Sequence, residues 1–192
     1  MKATTTISRV QASAAVLAVF GTFLFAFQAT GAAFSAQTVN AGNAFAAGTV
    51  VISDNDSDAA MFNVGNMKPG DTVVGCIEVT YSGSLDSQIR IYGASTGGDG
   101  LEAYLDLTIE RGDDECSQFG TSTNVWTNNN DGDLGVFLGS VTNYGTGVDT
   151  WQPTGGGNND TVPYRFTITL QDDNLAQGKT ASVGFTWEAQ NV

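Results

Sequence analysis

Several segments of this chain alternate apolar and polar residues with a period of two, and that pattern excludes most folds. Val73, Ile77, Val79 and Tyr81 share one side of an extended segment, with Glu78 and Thr80 on the other. Ala103, Leu105, Leu107 and Ile109 alternate with Tyr104, Asp106, Thr108 and Glu110 in the same way, and Tyr164, Phe166, Ile168 and Leu170 alternate with Arg165, Thr167, Thr169 and Gln171. A last run sets Val183, Phe185, Trp187 and Ala189 against Ser182, Gly184, Thr186 and Glu188. Successive side chains of a strand point to opposite faces, so each run reads as a strand with one buried and one wet face. Weaker strand signals at residues 49–53, 61–64, 88–92, 124–127 and 134–141 bring the total to about nine. No stretch keeps a helical period beyond two turns. Short half-apolar strands require two antiparallel sheets packed face to face. The expected fold is therefore all-β, a jelly-roll-like antiparallel β-sandwich, with an immunoglobulin-like sandwich as the second choice.

The connections fit that expectation. Lys68-Pro69-Gly70-Asp71 sets Pro and Gly at the two central positions of a type II turn, where proline fixes φ and glycine accepts a positive one. Gly97 to Gly100, Asn128 to Gly132 and Gly155 to Asp160 are too polar and flexible for a core, so they belong at the ends of the sandwich. Residues 46–192 show no linker-like change in composition and are assigned to one domain.

The start of the chain has a different character. Lys2 and Arg9 precede an apolar run from Ala14 to Phe27, and small residues follow at 29–33. This is the pattern of a signal peptide, with Gly31 and Ala33 as the small residues before a cut between Ala33 and Phe34. The other possibility is an uncleaved anchor, but a run of about 14 apolar residues is short for a hydrocarbon core ~30 Å thick. Residues 1–33 are thus read as a signal peptide, 34–45 as an N-terminal arm and 46–192 as the β-sandwich. The expected destination is secreted, extracellular or at the cell surface, with no membrane contact after cleavage. Five of the seven basic residues and all twenty acidic ones lie beyond residue 33, a balance of −15. Such a surface repels phosphate backbones, so nucleic acid is not an expected partner. Cys76 and Cys116 are the only cysteines; in an exported chain they are most simply one disulfide, the alternative being two free thiols.

The chain has no histidine, which removes Ser-His-Asp and Cys-His catalysis and the usual zinc-hydrolase ligands. Paired carboxylates could act without histidine, but Glu78, Glu102, Glu110, Glu115 and Glu188 fall in loops or on outward strand positions. Gly178-Lys179-Thr180 lacks the upstream glycine of a phosphate loop, and Arg111-Gly112-Asp113 is a tripeptide that recurs by chance. No cofactor is expected. Asp54, Asp56 and Asp58, and separately Asp131 and Asp133, offer oxygen ligands of the kind Ca²⁺ prefers, or else are plain solvated turns. In the arm, Phe34, Ala36 and Thr38 share one face, followed by Val39 and a small, flexible stretch. An extended arm of this kind either folds back or adds to the sheet edge of a neighbour.

Ala33-Phe34-Ser35, the run from Asn43 to Val50, and Phe62-Asn63-Val64-Gly65-Asn66-Met67-Lys68-Pro69-Gly70-Asp71 resemble the N-terminal signature of the TasA/camelysin family. Tyr104 to Thr108, Tyr164 to Thr167, Gln171 to Asn174 and Phe185 to Ala189 resemble its actinobacterial branch. The resemblance implies an exported jelly-roll subunit, with relatives that form biofilm-matrix fibres by completing a neighbour's sheet with an N-terminal segment. Camelysin relatives are named as metallopeptidases, an activity that the absence of histidine disfavours here. The leading expectation is a structural subunit of an extracellular fibre, biofilm matrix or surface layer, polymerising head to tail with itself, with a matrix or cell-wall component as a further partner. The alternative is a monomeric, calcium-dependent cell-surface binding module. N-terminal sequencing of secreted protein is expected to begin at Phe34; a terminus at Met1 or Lys2 would make residues 1–33 an anchor.

Overall fold

A computed structural model describes residues 48–56 and 60–192. Among them are eight strands: β1 (Ile52–Asp54), β2 (Thr72–Tyr81), β3 (Ser87–Gly98), β4 (Leu105–Arg111), β5 (Thr123–Thr127), β6 (Val148–Trp151), β7 (Asp160–Leu170) and β8 (Ala181–Asn191). Two short helices, α1 (Asn128–Asp131) and α2 (Leu134–Ser140), lie between β5 and β6. One sheet has the order β1-β2-β7-β4-β5 and the other β6-β3-β8, with every pairing antiparallel. The protein is therefore all-β and antiparallel, as the alternation requires, with eight described strands where about nine were expected.

Register explains where the core sits. Val73 of β2, Ile168 of β7 and Leu107 of β4 lie side by side, as do Gly75, Phe166 and Ile109 one step along. Tyr164, Phe166, Ile168 and Leu170 are all buried, and so are Leu105, Leu107 and Ile109. Phe185 and Trp187 of β8 meet this surface from the second sheet, with ring centroids 4.6 and 6.0 Å from that of Phe166. Each large side chain so buried contributes roughly 1.5–3 kcal/mol relative to exposure.

Three expectations are corrected. Residues 134–141 form helix α2 and not a strand: Asp133 accepts a hydrogen bond from the Val136 N–H at 2.8 Å and caps the turn, while Leu134, Phe137, Leu138 and Val141 supply a buried face at helical spacing. Residues 61–64 form no strand. The absence of a side chain at Gly75 makes room for Met61 and Phe62, which approach so closely that a Cβ there would lie 2.6 Å from Met61 Cγ and 2.8 Å from Phe62 Cζ. These side chains turn inward over β2, and Phe62 sets its ring edge-on to Phe166 at 6.5 Å. Ala103 is exposed in a 3-10 turn at Leu101–Tyr104, so β4 starts two residues later than the alternation suggests. Strand β6 was not anticipated at all; it is only four residues long.

The outward face of the five-stranded sheet is partly covered. Cys76 of β2 is joined to Cys116, closing a sequence separation of 40. The Cys116 N–H donates to Glu78 Oε1 at 3.0 Å, and Phe119 lies beneath the Arg165 guanidinium at 4.0 Å. Arg165 in turn donates to Glu110 Oε2 at 2.7 Å across the β4/β7 pair. The bond thus pins the β4–β5 loop to β2. Replacing both cysteines by serine is expected to cost ~4 kcal/mol, the chain-entropy value for a loop of this length, read as a lower denaturation midpoint. A midpoint within error of the parent would show that the loop is held without the bond.

Candidate functional site

The two long sides of the sandwich are finished differently. On the β6 side a buried polar group ties the sheets together. Asp149, with its side chain 3% exposed, pairs with Arg111 of β4 at 2.5 Å and accepts from the Tyr164 hydroxyl of β7 at 2.7 Å. Asp149 holds a φ of 73°, a left-handed conformation that aspartate tolerates better than most residues, and its Oδ1 also accepts from the Thr150 N–H. Burial first, and then the Asp149 carboxylate, hold the Tyr164 hydroxyl protonated well above the usual tyrosine range.

The β8 side is open. Among the described residues β8 bonds only to β3, and β1 covers β2 only from Val79 to Tyr81. The inward row of β8, Val183, Phe185, Trp187 and Ala189, is only half-buried, unlike the corresponding row of β7. Between β8 and the β1/β2 edge runs a hollow of about 500 Å³ walled by Met61, Phe62, Val73, Val183 and Phe185. A second hollow of about 460 Å³ continues past Ile52, Val79 and Trp187. Together they make a groove between the sheets, apolar along the first hollow and lined also by Ser53, Asp54, Asp56 and Thr186 along the second, bordered by the edge of β8 that does not face β3. It widens where β2 and β8 begin. Gly48 and Thr49 lie at the opposite end, where Thr49 exchanges hydrogen bonds with Ser84 in the β2–β3 turn.

The residues singled out in the sequence are not gathered into one site. Asp131 accepts from the Thr127 N–H at 2.9 Å and Asp133 caps α2, so both carboxylates serve local backbone. Asp54 accepts from the Asp56 N–H at 3.4 Å in the turn after β1. Asp58 lies outside the described residues, as do Ala33, Phe34, Ala36, Thr38 and Val39. Arg111 is bound to Asp149 and Asp113 accepts from the Thr121 N–H at 2.6 Å, so the Arg-Gly-Asp run is not displayed for recognition. Glu110 pairs with Arg165, and Glu188 accepts from Tyr92 and Gln190. Thr180 is tied to Asp99, which its backbone N–H holds below the usual carboxylate range.

The fold and site define a two-sheet β-sandwich with a disulfide-pinned loop and an open groove between the sheets. A family model described as camelysin metallo-endopeptidase matches residues 6–134, and the chain belongs to this camelysin/TasA family. Among curated proteins none matches it. The matched stretch ends at the start of α2, before the β8 wall of the groove.

The metal that the family's description implies does not fit the donors present. The chain has no histidine, its two cysteines are joined to each other, and no group of three or more Asp, Glu, His or Cys placed to hold a metal occurs among the described residues. Outside them, only Asp58 carries such a side chain. Among the described residues no helix is long and apolar enough to cross a membrane.

The Tyr164 hydroxyl sets a pH limit. Its folded pKa is raised above the unfolded value near 10, so its contribution is complete below about pH 10 and is lost as pH rises beyond it. Denaturant midpoints should therefore fall above about pH 10. Tyr164→Phe should cost about 1–2 kcal/mol at neutral pH, where Asp149 loses a donor, and should flatten the alkaline limb. An unchanged alkaline limb would place the titration elsewhere.

Proposed function

We propose that the chain is a structural, non-enzymatic subunit of an extracellular fibre, biofilm matrix or surface layer. Residues 34–39 of one exported copy, freed by cleavage after Ala33, enter the groove of the next copy and pair with the free edge of β8. The observation that carries this reading is the half-buried row of Val183, Phe185, Trp187 and Ala189 on β8, a strand that among the described residues pairs on one edge only, with β3. A strand laid there would bury that row and satisfy the β8 backbone, the arrangement of β-strand addition.

Two further features support it. Residues 34–47 contain no charged side chain, so this segment enters an acidic molecule without bringing like charge to it. The described chain begins at the end of the sandwich opposite the wide end of the groove, which favours delivery to a neighbour over return to the same copy. A head-to-tail contact of this type does not close on itself and repeats as an open filament. The subunit is read as a jelly-roll variant in which β2 and β3 run beside β7 and β6 in successive sheets.

Deleting residues 34–39 should leave a protein that unfolds at close to the parent temperature and does not elongate, as followed by light scattering and thermal melts. Full fibres from the deletion variant would refute strand exchange. Loss of both fold and fibre would place the arm in its own subunit's core.

A further inference from the structure

Among the described residues, the charged side chains that line the groove are carboxylates: Asp56 borders both hollows and Asp54 borders the second. Asp54 shares its face of β1 with Ile52. In register the two lie opposite Val79 and Tyr81, both buried in the core, yet Asp54 is exposed. A charge on the inward face of a short edge strand either guards that edge against stray pairing or meets a cation. The groove also narrows here. β1 approaches β8 with Cα atoms within 8 Å of one another, whereas a third strand passing between them would need roughly 10 Å, twice the usual strand spacing.

We infer that Asp54 and Asp56 receive the α-ammonium group of Phe34 of a second copy, so that the groove recognises the arm by its cleaved end. The inference rests on the strand-exchange reading and adds the charge that selects and positions the strand. Residues 34–47 carry no charged side chain, so the ammonium left by cleavage before Phe34 is the single charge on that segment, and it is opposite in sign to the groove. Where β1 closes on β8 an inserted strand must end, and only a terminal residue brings an ammonium there. From that point the arm leads out along β8 toward Ala181, antiparallel to it. The Gly93 N–H of β3 donates to the Val141 carbonyl, away from β8, so Gly93 and Phe185 are a non-hydrogen-bonded pair. Phe185 and its alternate neighbours Val183 and Trp187 therefore turn their N–H and C=O groups to the open edge, and arm residues set opposite them face inward as they do, which suits the row of Phe34, Ala36 and Thr38. Ala36 and Thr38 offer little shape to hold a register, and a strand of that kind slips easily; a charge held at its end stops the slip. A chain still carrying residues 1–33 has a neutral peptide bond at this position and lacks the contact.

The test titrates the protein from Phe34 to Val192, kept below its assembly concentration, with a peptide of residues 34–47 that has an amidated C-terminus. The peptide is made once with a free α-amino group and once N-acetylated, and binding is followed by calorimetry. The free-amine peptide should bind about fivefold more tightly than the acetylated one, the scale of an ion pair at a partly open site. In a double variant, Asp54→Asn with Asp56→Asn, that melts near the parent temperature, the difference should vanish. Equal affinities for the parent overturn the inference and leave strand exchange intact, and that comparison stands even if the variant fails to fold. A difference that survives in the folded double variant overturns it too, because the ammonium is then held elsewhere. So does tighter binding of the free-amine peptide by the variant, which would make the two carboxylates guards of the edge. If neither peptide binds, the strand-exchange reading falls, and the inference with it.

Discussion

Phe166 is the point at which the separate parts of this structure are held. Its ring meets Phe62 from the segment before β2 and Phe185 and Trp187 from the opposite sheet, at centroid distances between 4.6 and 6.5 Å. Its neighbours in register are Gly75, which leaves space above β2, and Ile109, which fills the space above β4. Aromatic pairs in tilted or edge-on arrangements add about 0.5–1.5 kcal/mol each beyond the area they bury. The glycine is as necessary as the ring. A side chain at position 75 would displace Met61 and Phe62, remove one wall of the groove and leave Phe166 with a gap on its β2 side.

From that centre the sandwich extends unequally. Toward β6 it is closed by Arg111, Asp149 and Tyr164, a buried charge pair that holds its geometry only because the tyrosine hydroxyl and a backbone N–H share the carboxylate. Toward β8 the same inner surface is left half-covered, with hollows in place of a strand. A free β8 edge with an apolar flank is the kind of feature that a lone soluble domain normally hides, because it invites pairing with any extended chain. Beyond residue 33 the charge balance is −15, a surplus of one sign that sets such bodies against one another, whereas residues 34–47 carry no charged side chain. Closing one side firmly and leaving the other open is the arrangement that the proposed strand exchange requires.

Much of this architecture was legible in the residues. The alternation at Tyr164 to Leu170 marks the central strand because every second residue is large and apolar, and Cys76 and Cys116, the two cysteines of the chain, form the one bond the sequence reading expected of them. Residues 134–141 were ambiguous for a physical reason: Leu134, Val136 and Leu138 fit a strand, whereas Leu134, Phe137, Leu138 and Val141 fit a helix. The capping carboxylate of Asp133 decides between them, and periodicity alone does not weigh a cap. Strand β6 is too short to show a period, and its key residue, Asp149, acts through partners 38 and 15 positions away in sequence. The groove was invisible for a different reason. Alternation at Val183 to Ala189 says which side of β8 faces inward, but not whether anything covers that side.

The claim that one copy completes the next is tested most directly by electron microscopy of the purified mature protein. Unbranched filaments, with density for residues 34–39 running along β8 of the adjoining subunit, are the predicted result. A monodisperse particle whose own arm lies in its own groove would contradict it.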